Sequence, residues 1–208
     1  MSGNHPPAGS AEERRNYFRI DDTVRLSVRR VDPGELDRLV DQLDHNLAGN
    51  FTVMSSLAAI TAQVTMGLRR IENRDADLAA YLRAIDHKIE VIGRAFIAQE
   101  PEFLAEQAVP ANLSAGGMCV GVDELYQPGE LLEIRMLLFP SFTGLMIYGT
   151  VIDTAEAEAG DDGVPSRFKR TARIEFSHIR ESDRELLIRH LLRRQSSQLR
   201  DQHEEESQ

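Results

Sequence analysis

The sequence has no tryptophan and a single cysteine, Cys119. One thiol excludes an internal disulfide and a cysteine-rich metal site, and it is compatible with a reducing cytoplasm, where we expect the protein to reside. The N-terminus lacks the basic segment and apolar stretch of a secretory signal. No apolar run is expected to approach the ~20 residues that span a membrane. The sequence therefore predicts neither a disulfide framework nor membrane insertion.

Lysine is also scarce, since Lys88 and Lys169 are the only lysines among 24 basic residues, and the net charge is −10. An acidic chain argues against nonspecific binding to long nucleic acid. The remaining basic residues are arginines, whose planar guanidinium binds phosphates and stacks on bases. Coding bias would produce the same enrichment, so the positions of the arginines must decide between the two interpretations.

The usual signatures of catalysis are missing as well. The sequence contains no Walker-type loop, no G-x-G-x-x-G and no convincing metal-ligand spacing. Ser114 does not lie in a G-x-S-x-G nucleophile motif, because Asn112 occupies the first glycine position. We therefore expect no catalytic residues, no metal ligands and no cofactor. An enzyme, such as a hydrolase or a phosphotransferase, is the least supported class.

Two parts of the chain show the period of two that is typical of strands. Val24, Leu26 and Val28 alternate with polar residues, and further alternating runs lie between residues 118 and 176, separated by turn signals. Short strands at this spacing indicate a small antiparallel β-barrel, followed by a C-terminal helix. The predicted fold class is α+β. The barrel domain comprises residues 13–32 plus 109–200, between a disordered leader at 1–12 and a disordered acidic tail at 201–208.

Residues 33–108 interrupt the barrel with a helical pattern. Apolar residues recur there at spacings of four and three, the period of a coiled coil, along a continuous arm over residues 36–71 and again over residues 78–96. Turn-forming residues at 73–77 favour a hairpin over one long helix, because the insertion must return to the barrel. Two helices bury only part of such stripes. We therefore expect a homo-oligomer through residues 34–99, with a tetramer favoured; the helix of a partner protein is the alternative occupant.

Two short segments are candidate ligand-binding motifs. Residues 14–19 read RRNYFR and contain R-x-x-x-R, and residues 112–117 read NLSAGG and contain N-x-S-x-x-G. Each motif alone is common and usually structural. Both together, in this order and beside strands, resemble the signature of the PilZ family, as do the strand after the second motif and the strand and helix at residues 173–195. The helical insertion replaces a short connection of the family, so the chain is similar to its atypical, helix-inserted branch.

The resemblance implies a bacterial receptor or adaptor for the second messenger cyclic di-GMP. Arginines suit the two phosphates and two guanines of this ligand, and small residues let it approach the backbone. The implied ligand-binding residues are Arg14, Arg15, Arg19, Asn112, Ser114, Gly116 and Gly117, and Arg14 further implies a stacked ligand dimer. An unidentified effector protein is a further candidate partner. The alternative is an oligomeric scaffold of PilZ fold that does not bind the nucleotide and acts through protein–protein interaction.

Overall fold

Six antiparallel strands form a closed barrel in the order β1-β2-β3-β6-β5-β4, as the alternation in the sequence predicts. The computed structural model describes residues 18–45, 49–97, 108–157 and 168–205. The strands are β1 (Ile20–Val31), β2 (Val109–Ser114), β3 (Gly117–Val122), β4 (Leu131–Leu138), β5 (Thr143–Glu156) and β6 (Arg170–His178). After a 3₁₀ turn at Pro33–Glu35, the helices are α1 (Leu36–Asp44), α2 (Asn50–Glu72), α3 (Ala76–Ile97) and α4 (Glu181–Glu205). The predicted α+β class is confirmed.

The long first strand closes the barrel. Residues 20–24 of β1 pair with β2, and residues 24–31 pair with β4. The inward side chains of the strands form the main core together with Leu187 and Leu191 of α4. Because directly paired residues project from the same face of a sheet, one row of paired residues lies on the outer face of the barrel: Asp21, Asn112, Cys119 and Arg173.

A second apolar cluster lies outside the barrel and attaches the helical insertion to it. Leu43 of α1 and Phe51 and Met54 of α2 pack there on side chains of the outer face of β4 and β5. The strand residues are Leu137, Met146 and Tyr148. A polar contact joins α1 to β6 as well, since His178 Nε2 lies 2.9 Å from Asp44 Oδ1. The base of the insertion is therefore packed on the barrel instead of being a free extension.

The insertion forms a helical hairpin, so the favoured alternative to one long helix is confirmed. α2 ends at Glu72 and α3 begins at Ala76. The helices run antiparallel, with Arg83 paired with Glu72 near the turn and Gly93 packed on Met54 at the other end. The prediction of one continuous arm over residues 36–71 is wrong. α1 ends at Asp44, and α2 begins after Gly49, whose φ of 95° lies in the left-handed region that favours glycine.

The last helix is longer than the sequence suggests. α4 continues to Glu205, so the prediction of a disordered tail from residue 201 is wrong for residues 201–205. Glutamine and glutamate are good helix formers. The acidic residues at 201–205 therefore continue a helix whose earlier turns are packed on the barrel. Residues 206–208 and the predicted leader at 1–12 lie outside the described residues, and the division of the chain into domains otherwise stays a prediction.

One helix is long and apolar enough to cross a membrane by length and composition. It is Phe51–Glu72, with a mean hydropathy of 1.4 over 18 residues, and the expectation that no segment approaches such a length is wrong. The first turns of this helix contact the rest of the protein, because Phe51 and Met54 pack in the second apolar cluster and Ser55 accepts a hydrogen bond from Arg180. The remaining residues 56–72 extend about 26 Å, which is less than the ~30 Å of a bilayer core. The packing favours a helix docked on the barrel.

Candidate functional site

The last arginine of the first motif meets the second motif at the pairing of β1 with β2. Asp21 lies directly opposite Asn112 in this pair, which places Arg19, just before β1, beside the N-x-S-x-x-G segment. Arg19 Nη1 donates to Asn112 Oδ1 at 2.9 Å, and the Arg19 side chain is exposed. Arg14 and Arg15 lie outside the described residues, so the structure describes the second arginine of the R-x-x-x-R motif and not the first.

Ser114 closes the turn between β2 and β3. Its hydroxyl donates to the Gly117 carbonyl oxygen at 3.0 Å, and the residue is buried. A hydroxyl has one hydrogen to donate, and here that hydrogen serves the turn. The structure thus gives Ser114 a local structural contact, while its contact with a ligand stays a prediction.

Gly117 of the motif allows a close approach of backbone segments, and Gly116 adds a backbone hydrogen bond. A Cβ on Gly117 would lie 2.5 Å from the Ile174 carbonyl oxygen, so only glycine permits this pairing of β3 with β6. The Gly116 carbonyl accepts from the Phe176 N–H at 2.9 Å. Arg184 of α4 adds a bond from its Nη1 to the Ala115 carbonyl at 2.8 Å. The turn is therefore fixed by both β6 and α4.

Arg173 is a second cation on this face, and the sequence analysis did not identify it. It pairs with Cys119, which pairs in turn with Asn112, so Arg173 lies two strands from Asn112 in the same outer row. Two inter-strand spacings amount to about 10 Å. Its side chain is exposed. Only the strand register reveals this neighbour, and alternation alone does not supply the register.

Asp21 fixes the side chain of Asn112 from the other side. Asn112 Nδ2 donates to Asp21 Oδ1 at 2.8 Å, while Asn112 Oδ1 accepts from Arg19. The backbone of Asp21 is held as well, since Gln198 of α4 donates from Nε2 to the Asp21 carbonyl oxygen at 2.8 Å. The start of β1 is thus held by β2 and by α4 together.

Asp22 faces the opposite side of β1 and is buried under α4. Its side chain accepts from His190 Nε2 at 2.5 Å, from Arg194 Nε at 2.7 Å and from the Thr23 N–H at 2.8 Å. Burial alone raises the pKa of Asp22, but these hydrogen bonds and the charge interactions with His190 and Arg194 outweigh burial. The pKa of Asp22 therefore lies below its usual value. An aspartate at an inward position of an alternating strand signals such a network, although its partners lie far away in the sequence.

Within the described ranges, no group of three or more histidine, cysteine, aspartate or glutamate side chains is arranged to hold a metal ion. The arrangement offers hydrogen-bond donors and one amide on an exposed surface, which is chemistry suited to binding a polar, anionic molecule.

The fold is a small antiparallel barrel domain, in which six strands close and the C-terminal helix packs Leu187 and Leu191 into the core. The family model of the PilZ domain matches residues 69–193, which is more than half of the chain. The chain belongs to the PilZ domain family, as its two motifs predict. The matched range includes the N-x-S-x-x-G segment and begins after the R-x-x-x-R segment.

Two solved structures are similar to this chain. A pathogenic protein from Xanthomonas campestris, described as a tetrameric PilZ domain self-assembled via an unusual helical bundle, is 14% identical with a TM-score of 0.53, covering 89% of this chain and 92% of its own. The Bacillus subtilis inhibitor of motility MotI/DgrA is 17% identical with a TM-score of 0.43, covering 88% of this chain, which spans about half (52%) of that protein. The first likeness supports a PilZ fold with a helical insertion. No curated protein sequence matches this chain.

Proposed function

We propose that this chain is a bacterial, cytoplasmic receptor for cyclic di-GMP that acts as an adaptor and not as an enzyme. The observation that carries the proposal is the contact between Arg19 and Asn112. It joins one residue of each candidate motif on an exposed part of the barrel, which supports a shared ligand site. Membership in the PilZ family supports the choice of ligand.

The groups of this patch suit a cyclic dinucleotide. The Arg19 guanidinium can bind a phosphate or the O6 and N7 atoms of guanine, and it can stack on a base. Arg14 and Arg15 lie directly upstream and would complete the phosphate and base contacts. The turn through Ser114, Gly116 and Gly117 carries almost no side-chain bulk. Closure of the segment from Arg14 to Arg19 over the ligand would change the surface offered to an effector protein.

Replacing the arginines tests the ligand. We expect saturable heat for wild type titrated with cyclic di-GMP, and a loss of affinity of about 10- to 100-fold for Arg15→Ala and for Arg19→Ala, because each removes charge-assisted hydrogen bonds. Isothermal titration calorimetry measures both. Arg30→Ala, at the far end of β1 and paired with Glu124 and Glu130, is the matched control and should bind as wild type. Equal heats in all variants, or none for wild type, would defeat the proposal.

The hairpin supports a second part of the proposal, self-association. One face of α3 is apolar and is not covered by the residues that the structure describes, with exposures of 46% at Leu78, 36% at Ile85, 41% at Ile89 and 57% at Ile92. These spacings of seven, four and three are those of a helix-packing face. We propose that this face, defined here as the α3 stripe, forms a homotetrameric bundle, as is described for the Xanthomonas protein of similar fold.

Charges placed on the α3 stripe should dissociate the assembly. We expect wild type to scatter as four times the 23.4 kDa chain mass, and Ile89→Glu/Ile92→Glu to scatter as one chain, because carboxylates in an apolar bundle are strongly disfavoured. Multi-angle light scattering gives both masses. Leu125→Glu changes an equally exposed apolar residue on the barrel and should leave the mass unchanged. A monomeric wild type would contradict this part of the proposal.

The same two measurements test the ligand-free scaffold as the alternative function, which the extent of the uncovered α3 stripe favours. An assembled wild type that gives no heat with cyclic di-GMP would support the scaffold. An assembled wild type that binds through Arg19 would exclude it.

A further inference from the structure

The amide of Asn112 has a single allowed orientation in this structure. A carboxylate only accepts hydrogen bonds and a guanidinium only donates them. Asn112 lies between one of each, with Nδ2 on Asp21 at 2.8 Å and Oδ1 on Arg19 at 2.9 Å. Reversing the amide would turn its oxygen toward the carboxylate and its NH₂ group toward the guanidinium. Asp21 and Arg19 together therefore fix which end of the amide faces the patch.

The backbone of Asp21 is itself held in place by two elements. It pairs with Asn112 across β1 and β2, and Gln198 of α4 binds its backbone carbonyl at 2.8 Å. The next residue, Asp22, is anchored to His190 and Arg194 of the same helix. An orienting group is effective only when its own position is fixed, and Asp21 meets that condition.

We propose that Asp21 is a positioning residue that presents Asn112 to the ligand as a hydrogen-bond acceptor and so sets a preference for guanine over adenine. The inference rests on the proposed function. The Oδ1 atom has two lone pairs, so it can keep Arg19 and still accept from a base. Guanine carries an N1–H donor on its Watson–Crick edge, where adenine carries a bare acceptor nitrogen. A fixed acceptor therefore pairs with guanine and faces an unpaired acceptor in adenine.

The competing role for Asp21 predicts an effect of the opposite sign. Asp21 is exposed, and a carboxylate near an anionic ligand repels it. If repulsion were its only effect, removing the carboxylate would tighten binding. If it orients Asn112, removing it frees the amide to rotate and weakens the binding of a guanine ligand.

Calorimetric titrations with cyclic di-GMP and with cyclic di-AMP separate these roles. We expect Asp21→Ala to weaken cyclic di-GMP binding about tenfold, the effect of one hydrogen bond, and to leave cyclic di-AMP binding unchanged. Asp21→Asn retains an oxygen acceptor for Asn112 Nδ2 and should bind nearly as wild type. Asp123→Ala removes an equally exposed carboxylate beyond the end of β3 and serves as the charge-matched control.

A reciprocal exchange gives a second test. Asn112→Asp places a second carboxylate beside that of Asp21. The two repel each other, and the variant should lose affinity for cyclic di-GMP. Adding Asp21→Asn to that variant supplies the missing donor, so the double variant should recover most of the affinity. Recovery alone would also follow from the restored net charge, so this exchange is read together with Asp21→Ala, for which repulsion predicts tighter binding and orientation predicts weaker binding. Thermal melting of each variant controls for folding.

The outcomes separate the inference from the function on which it rests. Unchanged or tighter binding by Asp21→Ala, or a parallel loss for both dinucleotides, overturns the role of Asp21, while a loss for Arg19→Ala in the same series leaves the proposed function standing. A wild type that gives no heat with cyclic di-GMP overturns both.

Discussion

Replacing Asp22 by asparagine should lower the free energy of unfolding by about 3 kcal/mol at neutral pH. The variant leaves His190 and Arg194 without the carboxylate that both contact, and the Asp22 side chain is fully buried. Removing one partner of a buried ionic network costs about 3–5 kcal/mol; we take the lower end, because the Arg194 side chain is 37% exposed and can reach water. Urea denaturation measures the difference. A total stability of about 5–15 kcal/mol makes this a large fraction.

The effect should depend on pH with a defined sign. The folded-state pKa of Asp22 lies below its usual value, so its ionised form stabilises the fold above the unfolded-state pKa of about 3.9. That contribution is lost as the pH falls from there through the lower folded-state pKa. The difference between wild type and Asp22→Asn should therefore be complete at neutral pH and narrow under acid conditions.

A control variant separates the network from general charge effects. Asp123→Asn alters an exposed carboxylate and should change the free energy of unfolding by no more than about 0.5 kcal/mol. A difference of under about 1 kcal/mol for Asp22→Asn at neutral pH, or one that widens on acidification, would contradict the role given to this network.

The barrel could be predicted from the sequence because its signal is local. In β1, the apolar residues Val24, Leu26 and Val28 alternate with polar ones, and this pattern predicts which face of the strand is buried. The meeting of Arg19 with Asn112 could be expected only through the family resemblance. The register that pairs Asp21 with Asn112 depends on the closure of the whole barrel, and no local pattern specifies it.

The buried polar networks were missed for a related reason. Asp22 lies 168 residues from His190 and 172 residues from Arg194. Periodicity marks Asp22 as an inward polar side chain, but it does not identify the helix that covers it. The contacts of Asp21 with Asn112 and with Gln198 are equally remote in sequence.

The helical insertion shows why a heptad pattern does not identify the helix partner. The pattern in α3 predicts that Ile85, Ile89 and Ile92 line a seam, yet these side chains are exposed in the single chain. At Gly93, α3 packs on α2 through a residue without a side chain, since a Cβ there would collide with Met54. Small residues let the two helices approach closely. The apolar side chains of Ile85, Ile89 and Ile92 thereby stay exposed in the structure.

Removing either member of the Arg180–Asp183 pair should destabilise the protein by about 3–5 kcal/mol, whereas replacing both by apolar residues should not. Arg180 Nε and Nη2 donate to Asp183 at 3.0 and 2.9 Å, and Arg180 also donates to Ser55 of α2. The pair therefore joins the start of α4 to the base of the hairpin. Burial raises the pKa of Asp183 although the charge and hydrogen bonds of Arg180 act in the opposite direction. Ionising Asp183 thus costs more in the folded than in the unfolded chain.

Each charge is consequently tolerated only because the other is present. Asp183→Leu leaves a buried guanidinium without its partner, and Arg180→Met leaves a buried carboxylate without its partner. Arg180→Met/Asp183→Leu leaves neither charge, and its free energy of unfolding should lie within about 1 kcal/mol of the wild-type value. Urea denaturation of the four proteins measures the coupling. The exposed pair of Glu185 and Arg189 on the same helix, 3.4 Å apart, is the control, and removing it should cost no more than about 0.5 kcal/mol. Additive losses in the double variant would show that the two side chains stabilise the junction independently, contrary to the coupling inferred from their burial.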